Sequence, residues 1–188
     1  MKREVEYFDK GGPACTGDCL KIVRRLVEEG YKNVVVASTS GNTGLRFAKE
    51  LPSREVNLVV VTHSAGFRKP NELEISGEIR KEITGLGAKV YTGTILTHSI
   101  ETALTKEFQG VYPTILITQT LRRFSQGVKV AVEIVMEACD AGMLPEEEEV
   151  VAVGGTGRGA DTVCLIKSAA SKRFLNLKVL EILAKPRE

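Results

Sequence analysis

Apolar and polar positions in this chain follow two periods, which alternate along most of its length. Short apolar runs are typical of strands covered by helices on both faces. We predict strands at residues 34–37, 56–62, 88–91, 149–153, 162–167 and 177–184, and a shorter one at 4–8. Apolar residues three or four positions apart predict helices at about 16–29, 42–51 and 73–86, with two or three more within 98–142. This order predicts an α/β fold, with three α/β/α layers around a mostly parallel sheet. The length of 188 residues suits a single domain over residues 1–188.

One segment, residues 128–135, fits both periods. Its valines recur at every second position from Val128, as in a strand. However, Lys129, Glu133 and Glu137 recur every four residues, which places them on one face of a helix. We therefore predict a helix here.

The loop STSGNTG follows the strand at 34–37 and precedes a predicted helix. A helix N-terminus has backbone N–H groups without intrahelical acceptors and carries a partial positive charge. Glycines allow close approach of a ligand and hydroxyl groups add donors, so the loop predicts a site for phosphate or carboxylate. The alternative is that these residues only cap the helix. The site would comprise Ser38, Thr39, Ser40, Gly41, Asn42 and Thr43.

Two further loops also follow predicted strands. THSAGF follows the strand at 56–62, and a glycine-rich loop follows the strand at 149–153. Ligands of such folds bind at the carboxyl ends of the strands, so we expect the three loops to meet at one crevice. The candidate residues in the second and third loops are Thr62, His63, Gly66, Phe67, Gly154, Gly155, Thr156, Gly157, Arg158 and Asp161.

Several of these side chains allow two interpretations. Arg158 suits bidentate binding of phosphate, and Asp161 suits a hydroxyl or a ring N–H of a ligand. The alternative is a tight hairpin with an internal Arg158–Asp161 pair. Phe67 either stacks on a planar ligand or folds onto the sheet edge. His63 and His98 are either acid–base groups or ordinary surface and capping residues.

Charge and cysteine content exclude several classes of partner. The net charge is +2, with basic and acidic residues interspersed, so we expect no nucleic-acid partner. Apolar runs are too short for a membrane span, and we expect no membrane partner. Four cysteines match no common zinc motif, so we predict no metal site. Their small number and the absence of a signal peptide predict a cytoplasmic protein.

A set of motifs spread from Tyr7 to Arg187 carries a family resemblance. They are YFDKGG, VVVASTSGNTG, VVVTHSAGF, GVKVAVEIVMEACDAGMLPEEEEVVAVGG, RGADT and ILAKPR. Together they resemble the C-terminal α/β domain of pyruvate kinases, in particular its free-standing, largely archaeal relatives. In pyruvate kinases that domain is regulatory, and its Ser/Thr-Gly loop binds a phosphate of a sugar bisphosphate. The catalytic barrel is absent from this sequence, so the resemblance argues against pyruvate kinase activity.

The free-standing relatives resemble binders of flavin mononucleotide (FMN), and the resemblance implies FMN as the cofactor. The first loop would then hold the phosphate. Thr62, Gly66 and Phe67 would lie near the ribityl chain or the ring, and residues 154–161 near the polar edge of the ring. A homo-oligomer is also implied, with the apolar strand at 177–183 as a candidate edge.

We therefore expect a phosphorylated ligand, FMN first, bound by a protein with a regulatory, carrier or unknown role. A small flavin-dependent oxidoreductase and a sugar-phosphate effector-binding domain stay open as alternatives. A structural domain with an unused pocket is a further alternative. The sequence assigns no catalytic residue and leaves open whether the protein is an enzyme.

Overall fold

The computed structural model describes residues 2–52, 55–94, 96 and 99–187. His98, one of the two candidate acid–base histidines, lies outside the described residues. The strands are β1 (Glu6–Phe8), β2 (Asn33–Ala37), β3 (Asn57–His63), β4 (Lys89–Gly93), β5 (Glu149–Gly154), β6 (Thr162–Lys167) and β7 (Lys178–Pro186). The α-helices are α1 (Thr16–Glu28), α2 (Asn42–Glu50), α3 (Gly77–Gly85), α4 (Ile100–Phe108), α5 (Pro113–Leu121) and α6 (Gln126–Asp140). Short 3-10 helices lie at Pro13–Cys15 and Ser171–Asn176.

The seven strands form one sheet in the order β1-β7-β6-β5-β2-β3-β4. The pairs β1/β7, β5/β2, β2/β3 and β3/β4 are parallel, whereas β6 is antiparallel to both of its neighbours. The prediction of a mostly parallel α/β sheet is confirmed. Strand β1 pairs with Ala184–Pro186, beyond the segment 177–183 that the sequence analysis gave as a candidate edge.

Alternate side chains of each central strand enter different apolar layers. Val34 and Val36 pack with α1, α2 and α3 on one face, and Val35 and Val59 pack with α6 on the other. This pattern explains why the strands are apolar at consecutive positions, since both faces are covered. The three-layer arrangement follows from it.

Two helices bear on the predictions. Residues 128–135 lie in the helix α6, as predicted, and nearly every residue of α6 from Gly127 to Cys139 is buried. Helix α3 begins at Gly77 rather than near residue 73, because the Ser76 side chain caps it by accepting a hydrogen bond from Ile79 N. Residues 64–76 are therefore left to form a loop above β3.

Within the described residues, no helix combines the length and the apolar character that a membrane crossing needs.

Candidate functional site

A cavity of about 500 Å³ lies at the carboxyl ends of β2, β3 and β4 and extends along α6. All three loops singled out in the sequence contribute to it, so the expected convergence is observed. The predicted site residues that line the cavity are Ser38, Thr39, Ser40, Asn42, Thr43, Thr62, His63, Phe67, Gly155, Gly157 and Arg158. The predicted residues that do not line it are Gly41, Gly66, Gly154, Thr156 and Asp161.

The N-terminus of α2 forms one end of the cavity. Gly41 precedes the helix with φ 88°, a left-handed conformation that favours glycine. The buried Ser38 Oγ accepts a hydrogen bond from Gly44 N at 2.9 Å, so this hydroxyl caps the helix. Among the described residues, the amides of Asn42 and Thr43 find no acceptor. These two donors and the helix dipole leave room for an anion.

Three guanidinium groups add positive charge to the same cavity. Arg46 comes from α2, Arg122 follows α5 and Arg158 comes from the glycine-rich loop. Arg122 Nε donates to Gln126 Oε1 at 2.7 Å. None of the three forms an ion pair with an acidic residue in the described part of the chain. Guanidinium groups are able to bind a phosphate through two parallel hydrogen bonds, and their positive charge favours an anion. The sequence analysis recognised only Arg158.

Asp161 lies in the interior and holds the glycine-rich loop by hydrogen bonds. It is fully buried, and its Oδ2 accepts from Gly12 N and Thr156 N, both at 2.9 Å. Its Oδ1 accepts from Thr162 Oγ1 at 2.8 Å. An Arg158–Asp161 pair inside the loop is therefore wrong, and Asp161 does not face the cavity as proposed for ligand binding.

Two glycines of this loop, Gly154 and Gly159, serve close packing of the backbone. A Cβ on Gly154 would lie 2.2 Å from Gly127 O at the start of α6. A Cβ on Gly159, where φ is 76°, would lie 2.4 Å from Pro13 Cα. The loop therefore packs against α6 and against the segment before α1 at the rim of the cavity, and these contacts explain the glycines at 154 and 159.

A ring pair lies on the side of the cavity formed by the loop after β3. The rings of His63 and Phe67 stack with their centroids 3.9 Å apart. His63 Nδ1 lies 2.8 Å from Glu74 Oε2, and Arg68 Nε lies 2.9 Å from Glu74 Oε1. The sequence analysis did not pair His63 with Glu74, which is eleven positions away in a stretch expected to be helical. The two rings give the cavity a flat, partly apolar wall.

Helix α6, which packs on the sheet, forms another wall of the cavity and carries a buried charged row. Lys129, Glu133 and Glu137 all line the cavity, and all three are buried. Lys129 Nζ forms an ion pair with Glu133 Oε2, and Glu133 Oε1 accepts from Leu96 N at 3.1 Å. Burial, reinforced by Glu133, raises the pKa of Glu137 to about 8.

The sequence analysis used this row only to identify a helix. The missed signal is the composition of the rest of α6, which is apolar on both sides of the charged stripe. Because a helix that is apolar on nearly every face is buried on nearly every side, a row of charged residues on it is expected to border a cavity inside the protein.

The chain matches the protein family described as pyruvate kinase, alpha/beta domain. The match covers residues 19–166, well over half of the chain. It includes the first two loops, the glycine-rich loop and all of α6.

Proposed function

We propose that this chain, which belongs to the pyruvate kinase alpha/beta domain family, binds a phosphorylated mononucleotide, FMN, in the cavity above β2 and β3. The observation that carries the proposal is the meeting of an anion site, a flat ring pair and a buried polar wall in one cavity. The role we propose is that of a regulatory or carrier protein that holds the ligand.

The end of the cavity at α2 fits the phosphate. The amides of Asn42 and Thr43 offer two backbone donors, and the hydroxyls of Ser40 and Thr43 lie on the same loop. Each hydrogen bond to a charged group contributes about 1.5–3 kcal/mol. Arg46 of α2 and Arg158 of the glycine-rich loop bring charge of the opposite sign to the same cavity.

The remainder of the cavity fits a larger, flatter group than a triose or an inorganic phosphate. Its volume of about 500 Å³ lies within the range of ligand and cofactor pockets. The stacked His63 and Phe67 supply a planar surface that suits an aromatic ring. A bound flavin would supply redox chemistry. The chain's own residues would bind the phosphate, orient the ring and exclude water from it.

Titration with FMN and riboflavin tests the proposal. We expect FMN to bind at least about 100-fold more tightly than riboflavin, because riboflavin lacks the phosphate and its charge-assisted hydrogen bonds. Thr43→Val, which removes one hydroxyl donor, should weaken FMN about 10- to 100-fold. The measurement is quenching of flavin fluorescence at fixed salt.

Thr84→Val is the matched control for this experiment. Thr84 is exposed on α3, and its hydroxyl donates only to carbonyls of its own helix. FMN affinity in this variant should equal that of the original chain. Equal affinities for FMN and riboflavin would contradict the phosphate assignment, and displacement of FMN by a sugar bisphosphate at lower concentration would favour the effector alternative.

We also propose a homo-oligomer, formed along the part of β7 that β1 does not cover. In the described part of the chain, no strand pairs with the outer edge of Lys178–Leu183. On this edge, Arg3 forms an ion pair with Glu181. Val179 and Leu180 are exposed there, and nearby Leu175 is 91% exposed. A second copy in a two-fold arrangement would pair this edge with itself.

Light scattering after size-exclusion chromatography tests the oligomer. The original chain should elute as a dimer or larger, and Leu180→Lys should shift it to the monomer because a charge on an edge strand opposes pairing. A monomeric original chain, or an unchanged mass for Leu180→Lys, would contradict this interface.

A reducing, cytoplasmic compartment is the last element of the proposal. Cys15, Cys19, Cys139 and Cys164 are all free and buried. Burial raises the pKa of the Cys139 thiol to about 11 and that of Cys164 to about 12. These thiols act as small apolar side chains, which supports a compartment in which disulfides do not form.

A further inference from the structure

Glu137 lies on the cavity wall far from the N-terminus of α6. It is eight residues beyond Lys129, which at the rise of an α-helix is about 12 Å along the axis. The start of α6 lies at the carboxyl edge of the sheet, since Gly127 contacts Gly154 at the end of β5. The row from Lys129 to Glu137 therefore runs from the rim of the cavity towards its interior.

The Glu137 carboxyl group has an unused hydrogen-bonding atom. The residue is 4% exposed, and its Oε2 has no hydrogen-bond partner among the described residues. Burying a polar atom without a partner is unfavourable, so such an atom in a cavity wall points to a partner supplied from outside the chain.

The surroundings of Glu137 favour the neutral carboxylic acid. The described groups that act on it are Lys129, Glu133 and Asp140 on α6, and Tyr91 on β4. Strands β2, β3 and β5 present apolar residues to α6, and Cys164 on β6 keeps its proton because burial raises the pKa of that thiol. Since burial and Glu133 raise the pKa of Glu137 to about 8, the group is protonated at pH 7 and is able to donate a hydrogen bond.

We propose that Glu137 is a second recognition point of the cavity, where its carboxyl group donates a hydrogen bond to a neutral acceptor atom at the far end of a phosphorylated ligand. The inference rests on the proposed function, because it takes the phosphate to be bound at α2. It adds that recognition of the ligand's other end is by an acid on α6 rather than by the glycine-rich loop.

This position selects a class of ligand. A carbonyl oxygen or an imine nitrogen of a heterocyclic ring accepts from a neutral acid without bringing charge into the buried wall. A second phosphate at this end would be buried beside the carboxylate of Glu133, which disfavours it. The class is therefore that of mononucleotides with a heterocyclic base or flavin ring, and sugar bisphosphates do not belong to it.

Binding measured at pH 7 and pH 9 tests the assignment. The probes are FMN, AMP, GMP, CMP and UMP, with the original chain, Glu137→Gln and Glu28→Gln. Glu28 is an exposed residue on α1 that forms no ion pair with a described residue, so its variant is the control. Circular dichroism at both pH values checks that every variant is folded.

A ligand that binds at pH 7 should bind about tenfold more weakly at pH 9, where the carboxyl of Glu137 has lost its proton. We expect this loss in the original chain and in Glu28→Gln alike. Glu137→Gln keeps an uncharged donor, so its affinity should be the same at both pH values. Equal pH dependence in Glu137→Gln and the original chain would overturn the inference and leave the proposed function intact.

The remaining outcomes separate the two proposals. If FMN does not bind but one of the other four mononucleotides does, with the pH dependence described, the proposal of FMN fails and the role of Glu137 stands. If none of the five binds, the mononucleotide class is wrong and both proposals fall.

Discussion

Replacing Glu137 by Gln is expected to make the stability of the protein less dependent on pH and to increase it above pH 8. The pKa of Glu137 is raised from 4.5 to about 8 in the folded protein. Below pH 4.5 the carboxyl is protonated in both the folded and the unfolded chain. Between pH 4.5 and 8 the unfolded chain releases this proton and the folded chain keeps it, so the free energy of unfolding falls as pH rises. The loss is about 1.4 kcal/mol per pH unit, or about 5 kcal/mol in all, and it is complete above pH 8.

Urea denaturation of ligand-free protein from pH 4 to pH 9 measures this effect. Gln is neutral throughout, so the difference in unfolding free energy between Glu137→Gln and the original chain should grow from pH 4.5 to pH 8 and then stay constant. Glu28→Gln, which changes an exposed glutamate, should follow the original chain. A difference that does not change with pH would show that the carboxyl of Glu137 ionises in the folded state as it does in the unfolded chain.

The architecture followed from the sequence because the central strands have an unambiguous pattern. The runs at 34–37 and 56–62 are apolar at consecutive positions, and the structure covers them on both faces. The helical assignment of residues 128–135 depended on the spacing of three charged residues and is confirmed by α6. A short strand was predicted at 4–8, but its pairing with the end of β7 was not, because a local pattern does not identify the partner of a strand.

The sequence analysis predicted the three loops that line the cavity, but not the residues of α6 that line it as well. Loops at the carboxyl ends of parallel strands meet for topological reasons, so Thr43 and Arg158 are brought to one cavity as expected. Lys129 and Glu137 lie more than eighty residues from Thr43 in sequence, and only the packing of α6 on the sheet brings them there. Local patterns carry no information on such packing.

The glycine-rich loop shows how the same sequence signal supports two physical causes. Four glycines in six positions indicated that something approaches the backbone closely, and a ligand was the expected neighbour. In the structure the neighbours of Gly154 and Gly159 are other parts of the chain, around Gly127 and Pro13. A single sequence does not distinguish a close ligand from a close segment of backbone.

That packing gives the second large effect, which we expect from Gly154→Ala. A Cβ at this position would lie 2.2 Å from Gly127 O, and a backbone oxygen in the first turn of a buried helix has no rotamer by which to move away. The start of α6 must therefore shift from the sheet, and overpacking of this kind costs about 1–3 kcal/mol. Because α6 forms a wall of the cavity, FMN affinity should fall together with the melting temperature.

Gly77→Ala separates this steric effect from the general consequences of replacing glycine. Gly77 begins α3 and does not line the cavity, and a Cβ at this position would have no described heavy atom within 4 Å apart from its own helix and chain neighbours. Alanine there should leave the unfolding free energy unchanged or raise it by about 0.4–1 kcal/mol, since it restricts the unfolded chain. Thermal unfolding followed by circular dichroism compares the two variants. Equal melting temperatures would mean that α6 and β5 accommodate the added methyl group, and that the glycine at the end of β5 is not needed for their contact.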